Sequence, residues 1–325
     1  MTSIIVNEHG GPEKYEVTDD SPAGAAGPAD GQLQVSLSLA GVNFLDVVQR
    51  RGGTPVTAPF APGVEGVGTV TAVGAGVDGF SVGDRVGWMT GGQGSFSSTA
   101  LVRADKAVPL PDDIDDEIAV AALMQGITAH YLTTSTFPIS AGDVVVVHAA
   151  AGGLGQMLTQ IAAAKGATVI GTTSTEEKAE IARANGAAHV FGYDDFAEKI
   201  REVSSDGEGA SVIFDGVGAT TFEGDLKTLR TRGTLVVVGN ASGPVPAVDV
   251  NTLSASGSLF LTRPTVVDHV RTPEELRSRT DEIFEWIRSG DLTVRIGDRF
   301  PLAEVAAAFT ALESRATTGK IILEH

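Results

Sequence analysis

The chain has 325 residues, 42% apolar and 20% charged, a composition that excludes a disordered or fibrous chain and suits about two globular domains. It contains no cysteine, which excludes disulfides and thiolate metal sites and fits a reducing, cytoplasmic setting. Its 41 acidic side chains against 23 basic ones leave a net charge of −18, a field that repels nucleic acid and anionic membranes.

The N-terminus, MTSIIVNEHG, lacks the charged-then-apolar order of a signal peptide, and no run approaches the roughly 18 apolar residues of a membrane span. The stretch up to residue 123 reads as short strands broken by turns, an antiparallel, barrel-like texture. SPAGAAGPADG (21–31) reads as a surface loop, and the next segment alternates polar and apolar residues from Gln32 to Leu39, as a half-buried strand does. VGTVTAVGAGV and GDRVGWM continue the pattern. Near Asp115 the spacing turns helical, in IDDEIAVAALMQGITAHYLTTST. From Asp143 apolar strands alternate with helices. VVVVHA (144–149), TVIGTT (168–173), HVFGY (189–193) and SVIFDGVG (211–218) are each followed by a helix, the last ending near Arg230. GTLVVVG (233–239) and GSLFLTRP (257–264) complete the series. Strands apolar on both faces at this spacing predict a parallel sheet covered by helices on both sides. The last of them lies at a sheet edge, where an unpaired apolar strand is a liability, so a homodimer formed by edge-to-edge pairing is expected. An amphipathic helix over Thr272–Arg288, a second in AEVAAAFTALES and a strand in KIILEH bring the chain back to the first domain.

HAAAGGLGQ follows an apolar strand and opens a helix from Leu154 to Lys165, the context that a dinucleotide-binding turn requires. Ala150, Gly152 and Gly155 fall on the three glycine positions of G-x-G-x-x-G. Gly152 lets backbone approach a pyrophosphate, Gly155 lets helix and strand pack closely, and the helix N-terminus attracts the anion. The second strand of an NAD site usually ends in Asp or Glu, which holds the ribose 2′-hydroxyl. Here it ends GTTSTEEK, with Ser174 in that region and Lys178 a helical turn beyond, so NADPH is expected rather than NADH. Lys178 also reads as a surface lysine paired with Glu176 or Glu177. Tyr193, at the end of the third strand, is placed to close the pocket. None of the six histidines has ligand spacing, and His148 reads as structural.

AGVNFLD, PGVEGVG, VGDRVGW, MQGITAHYL, VHAAAGGLGQ, IGTTSTEEKA, FDGVG, VVGNASG, LTRP and LESRATTGK together resemble the NADPH:quinone oxidoreductases (zeta-crystallin-like) of the medium-chain dehydrogenase/reductase superfamily, over nearly the whole chain. The zinc alcohol dehydrogenases of that superfamily carry Cys where Asn43 stands and His where Val64 stands. Asn43 and Val64 cannot form a zinc site, so no metal is expected. The resemblance implies an α/β fold with two parts: a Rossmann doubly wound parallel sheet for NADPH (124–265), and a GroES-like, mostly β barrel substrate domain (1–123 and 266–325), with the substrate in the cleft between them. It also implies the cofactor contacts: Asn43, Asp46 and Tyr131 near the nicotinamide; Gly152, Gly153 and Leu154 at the pyrophosphate; Ser174, Lys178, Tyr193 and Arg315 around the adenosine and its 2′-phosphate; Asn240 and Phe260 to Arg263 flanking the nicotinamide.

The function implied is zinc-independent hydride transfer from NADPH to a quinone, a reaction that needs orientation of two flat rings and no dedicated acid. Enoyl reduction needs a positioned proton donor. The family's quinone reductases and the related enoyl-thioester reductases commonly carry Tyr in G-x-Y-P, and the enzymes most similar to this chain often carry a further Tyr where Val48 stands; here Thr54 of Gly52-Gly53-Thr54-Pro55 and Val48 replace them, which counts against enoyl-thioester reduction and against a quinone pocket that relies on tyrosine. Val48, Thr54 and Asn43 are the substrate-cleft candidates, with Thr54 able to hydrogen-bond a carbonyl. The alternatives are reduction of alkenals and other conjugated carbonyls, and a non-enzymatic, crystallin-like or RNA-binding role.

Overall fold

The computed structural model describes residues 2–19, 27–204 and 207–325, so residues 21–26 of the expected surface loop lie outside the described residues. The strands are β1 (Ser3–Val6), β2 (Tyr15–Thr18), β3 (Gln32–Gly41), β4 (Glu65–Val73), β5 (Arg85–Met89), β6 (Thr99–Arg103), β7 (Ala107–Pro109), β8 (Val144–Val147), β9 (Thr168–Thr172), β10 (His189–Phe191), β11 (Ala210–Asp215), β12 (Leu229–Val237), β13 (Phe260–Thr262), β14 (Ile296–Pro301) and β15 (Lys320–Glu324). The helices are α1 (Phe44–Arg50), α2 (Asp116–Tyr131), α3 (Gly153–Ala164), α4 (Glu176–Ala184), α5 (Phe196–Val203), α6 (Phe222–Thr228), α7 (Val250–Ala255), α8 (Pro273–Ser289) and α9 (Val305–Glu313). They form two compact units, one of Met1–Ile127, Val270–Phe284 and Val294–His325, the other of Thr128–His269 and Glu285–Thr293.

The first unit is built on a seven-stranded sheet in the order β14-β15-β3-β4-β5-β7, with β6 also on β3. β3 is its pivot. Its first half, Gln32–Ser36, pairs with β6, its end, Leu39–Gly41, pairs with β15, and β4 runs along its other edge. Alternation decides which residues face inward. Leu33, Val35 and Leu37 are buried with Val70, Phe80, Val86 and Trp88. A second cluster joins Ile4, Tyr15, Val42, Val47, Phe96 and Phe309. Fully buried Arg50 sits beside it, paired with Glu313 at 2.6 Å and lying 5.2 Å above the Tyr15 ring.

The second unit holds a parallel sheet in the order β10-β9-β8-β11-β12-β13. The chain winds outward from β8 to β10, then returns to β11 on the other side. The carboxyl end of β8 is therefore the topological switch point, where open α/β sheets bind ligands. Inward-facing Val144, Val146, Ile170, Ile213 and Leu235 form its core with Phe196 and Phe222. The two units part after Ile127 and His269, and residues 285–293 cluster with the second unit, where the sequence expectation cut the chain at 123/124 and 265/266. α6 stops at Thr228 and does not reach Arg230, because buried Leu229 already pairs with Ala210 as the first residue of β12.

Candidate functional site

At the switch point the chain leaves β8 through Ala149, whose φ is +52°, and turns tightly with Gly152 N–H donating to Ala149 O at 2.9 Å. α3 starts at Gly153, and its first intrahelical donor is Gln156, bonded to Gly152 O at 2.9 Å. The N–H groups of Gly153 and Leu154 lie before that bond, at the positive end of the helix, where an anion is held. A Cβ on Gly155 would meet Ala149 O at 2.3 Å, so helix and strand approach as closely as they do only through glycine. A Cβ on Gly152 would meet only Ala149 O, at 3.3 Å, so this glycine leaves backbone open for a ligand. Ala150 takes the first glycine position because β9 offers Gly171 opposite it, where an added Cβ would lie 2.9 Å from the Ala150 methyl.

No acid stands at the end of β9. Thr172 and Thr173 are followed by exposed Ser174, and Thr175 caps α4 by accepting from Lys178 N–H at 3.3 Å. Glu176 is paired with Arg183 at 2.5 Å. The Tyr193 hydroxyl, just beyond β10, accepts from Ala149 N–H at 3.2 Å and ties the third strand's end to the glycine-rich turn. Beyond β12 and β13, Arg263 donates to Asn240 Oδ1 at 2.8 Å. Gly152, Gly153, Leu154, Ser174, Lys178, Tyr193, Asn240 and Arg263 thus all follow the carboxyl ends of parallel strands. Phe260 instead begins β13 and is 60% exposed. Tyr131 is buried, stacked on His269 with ring centroids 4.1 Å apart and planes at 4°. His148 lies under the turn with both ring nitrogens engaged, Nδ1 with Thr172 Oγ1 at 2.7 Å and Nε2 with Asp225 Oδ1 at 2.6 Å. Its partner Asp225 escaped the sequence reading, since an acid inside a helix carries no periodic mark.

In the first unit, Asn43 lies two residues past β3 and caps α1, where its N–H donates to Asp46 Oδ2 at 3.0 Å. Its side chain is enclosed in a network that the sequence reading missed. Lys320 Nζ, on β15, lies 2.5 Å from Glu65 Oε2, 2.9 Å from Asn43 Oδ1 and 2.9 Å from Gln125 Oε1. Asn43 Nδ2 donates to Glu65 Oε2 and Gly41 O, Gln125 Nε2 donates to Asn43 Oδ1 at 3.1 Å, and Met124 N–H donates to Glu65 Oε1 at 2.7 Å. The available signal was a charge inside each of two apolar stretches, PGVEGVG and GKIILEH. Burial raises the Asp46 carboxyl to about 7, a shift that the Lys320 charge opposes and the Glu65 charge reinforces. Exposed Phe44 and Val48 stand one turn apart on α1 as an apolar step. The Thr54 hydroxyl is buried with no hydrogen-bond partner among the described residues. Arg315 belongs to this unit, exposed and in the left-handed region (φ +59°) just past α9.

A dinucleotide turn at the switch point of one unit, with a buried polar cluster at Asn43 in a β-rich other unit, defines a dehydrogenase/reductase of the medium-chain class. Residues 29–112 match the alcohol dehydrogenase GroES-like domain and residues 153–287 the zinc-binding dehydrogenase family. The chain is 42% identical to a quinone oxidoreductase of Pseudomonas aeruginosa over 97% of both chains. It is 38% identical to a 2-haloacrylate reductase of a Burkholderia species, over 99% of this chain and 98% of that one. A mycobacterial protein solved with NADPH superposes with a TM-score of 0.96 over the full length of both chains, at 42% identity. The chain belongs to the quinone oxidoreductase family of the medium-chain dehydrogenase/reductase superfamily. Among the described residues, no helix is long and apolar enough to cross a membrane.

Gly155→Ala forces its Cβ onto the Ala149 carbonyl; a loss of about 1–3 kcal/mol in chemical denaturation is expected, with at least tenfold weaker dinucleotide binding by fluorescence titration. Asp46 generates a pH test. Between pH 4 and 7 only the unfolded chain surrenders this proton, so the parent loses stability as pH rises through the folded-state value of about 7. Asp46→Asn cannot ionise, so its melting temperature relative to the parent rises from pH 5 to pH 8; a flat difference contradicts the assignment.

Proposed function

We propose that the chain is an NADPH-dependent quinone oxidoreductase acting in the cytoplasm on small quinones. The observation that carries the cofactor reading is the end of β9, where Ser174 and Lys178 stand in place of the acid that would hold a free ribose 2′-hydroxyl. A hydroxyl and an ammonium suit a 2′-phosphate, while Gly153 and Leu154 at the start of α3 suit the pyrophosphate. The glycine-rich turn fits the group, since Gly152 leaves bare backbone where a phosphate must approach. Bound NADPH supplies the hydride. In this reading residues 124–265 hold the cofactor, and residues 1–123 with 266–325 hold the acceptor.

The tyrosines support a quinone over an acceptor that needs a phenol. There are three. Tyr15 is packed in the core against Phe309, Tyr131 is stacked on His269, and Tyr193 is bonded to the glycine-rich turn. The apolar step of Phe44 and Val48 suits a flat ring, and the Thr54 hydroxyl suits a carbonyl oxygen. A second reading, reduction of conjugated carbonyls, is favoured by the similarity to the 2-haloacrylate reductase.

Steady-state rates with 1,4-benzoquinone and 2-hexenal separate the two readings. Faster turnover of benzoquinone is expected, and equal or better turnover of the enal overturns the quinone assignment. Lys178→Ala is expected to raise KM for NADPH about tenfold, the loss of one charge-assisted contact, with little change for NADH. We further infer a homodimer through β13, which is the last strand of its sheet and carries exposed Phe260. Light scattering should give the mass of two chains, and Phe260→Asp should shift it toward one.

A further inference from the structure

The cluster around Lys320 is closed at every member but one. The ammonium has three N–H groups, and Glu65, Asn43 and Gln125 take all three. The Asn43 amide is also fully used: two N–H groups donate to Glu65 and Gly41, and one oxygen accepts from Lys320 and Gln125. Asn43 therefore has no side-chain donor left for a ligand. Glu65 is committed to Lys320, Asn43 and the Met124 N–H. Gln125 differs. Its oxygen faces Lys320 and one N–H goes to Asn43, which leaves one amide N–H without a partner among the described residues. It is also the most exposed member, half-buried where Lys320, Glu65 and Asn43 are buried.

The orientation of that amide is not negotiable. An ammonium can only donate, so the oxygens of both Asn43 and Gln125 must face Lys320. Flipping Gln125 would set an NH2 group against the ammonium at 2.9 Å. The remaining N–H is thus held in one direction and polarised by a buried positive charge bonded to its own carbonyl oxygen.

We propose that Gln125 is a catalytic residue whose remaining amide N–H donates to the carbonyl oxygen of the acceptor, and that Lys320 is the positioning residue that fixes this amide. The proposal rests on the reading of the chain as a reductase of quinones or conjugated carbonyls. In either acceptor, arrival of a hydride sends an electron pair onto the carbonyl oxygen, which becomes the oxygen of a hydroquinone anion or an enolate. Gln125 keeps its proton throughout and stabilises that charge by hydrogen bonding; water supplies the proton that completes the reduction. A donor aimed at a developing oxyanion is the kind of group whose removal costs most in turnover.

The test uses Gln125→Leu and Gln125→Glu, the second keeping an acceptor opposite Lys320 while removing the N–H. A fall of about 100-fold in kcat with 1,4-benzoquinone is expected in both, with the NADPH dissociation constant, read by fluorescence quenching, within twofold of the parent. Lys320→Arg, which keeps the charge, should retain more of kcat than the charge-neutral pair Lys320→Met with Glu65→Gln. Unchanged kcat in both Gln125 variants, or a loss accompanied by equally weakened NADPH binding, overturns the assignment. A folded parent that oxidises NADPH with neither benzoquinone nor an enone overturns instead the function on which it rests.

Discussion

The ion pair between Lys320 and Glu65 holds the first unit's site together. Both side chains are almost wholly out of water, at 2% and 0% exposure. Withdrawing two charges from water costs several kcal/mol per ion, and their attraction offsets that cost only when every remaining donor and acceptor is satisfied. Here each is. The three N–H groups of the ammonium and both oxygens of the carboxylate are bonded. The partners come from distant parts of the chain: Glu65 from β4, Asn43 from the start of α1, Met124 and Gln125 from α2, Lys320 from β15. A charge that can be buried in only one arrangement specifies that arrangement, so the pair sets where α1 begins and which way the two amides point.

The second unit uses backbone geometry for the same purpose. Its dinucleotide turn needs Gly155 because the Ala149 carbonyl occupies the space of a side chain, and it tolerates Ala150 because Gly171 stands opposite. Beneath the turn, His148 links Thr172 at the end of β9 to Asp225 in α6. The end of β8 is thereby fixed from both sides, while the first N–H groups of α3 remain for a phosphate.

The parts legible in the sequence were those that repeat or sit close together. The alternation from Gln32 to Leu39, the apolar runs of the parallel sheet and the glycine-rich turn after β8 all depend on residues within one or two elements. The Lys320 cluster depends on residues 255 and 195 positions apart, and no local pattern announces such a pairing. Lys320 looks like the polar first residue of an edge strand, and Gln125 like one polar residue in an apolar helix. For Asn43 the resemblance supplied a position beside the cofactor, while the geometry shows a side chain whose hydrogen bonds are all spent inside the protein. The free valence of a residue depends on long-range neighbours, which a local motif does not show.

The charge of the whole chain bears on the choice of acceptor. With a net charge of −18, the protein repels every anion at long range. A dinucleotide with its phosphates must overcome that field through short-range features, which in the reading proposed above are the N-terminus of α3 and Lys178 near Ser174. The first unit's cluster offers no comparable help, because the one ammonium within it is already neutralised by Glu65. An enoyl thioester on a phosphorylated carrier would therefore meet repulsion without a local anion site in that cluster. A quinone is neutral and indifferent to the field. In the reading proposed above, exposed Phe44 and Val48 supply the apolar surface that it asks of the site, and the amide of Gln125 and the hydroxyl of Thr54 supply hydrogen-bond donors for its oxygen.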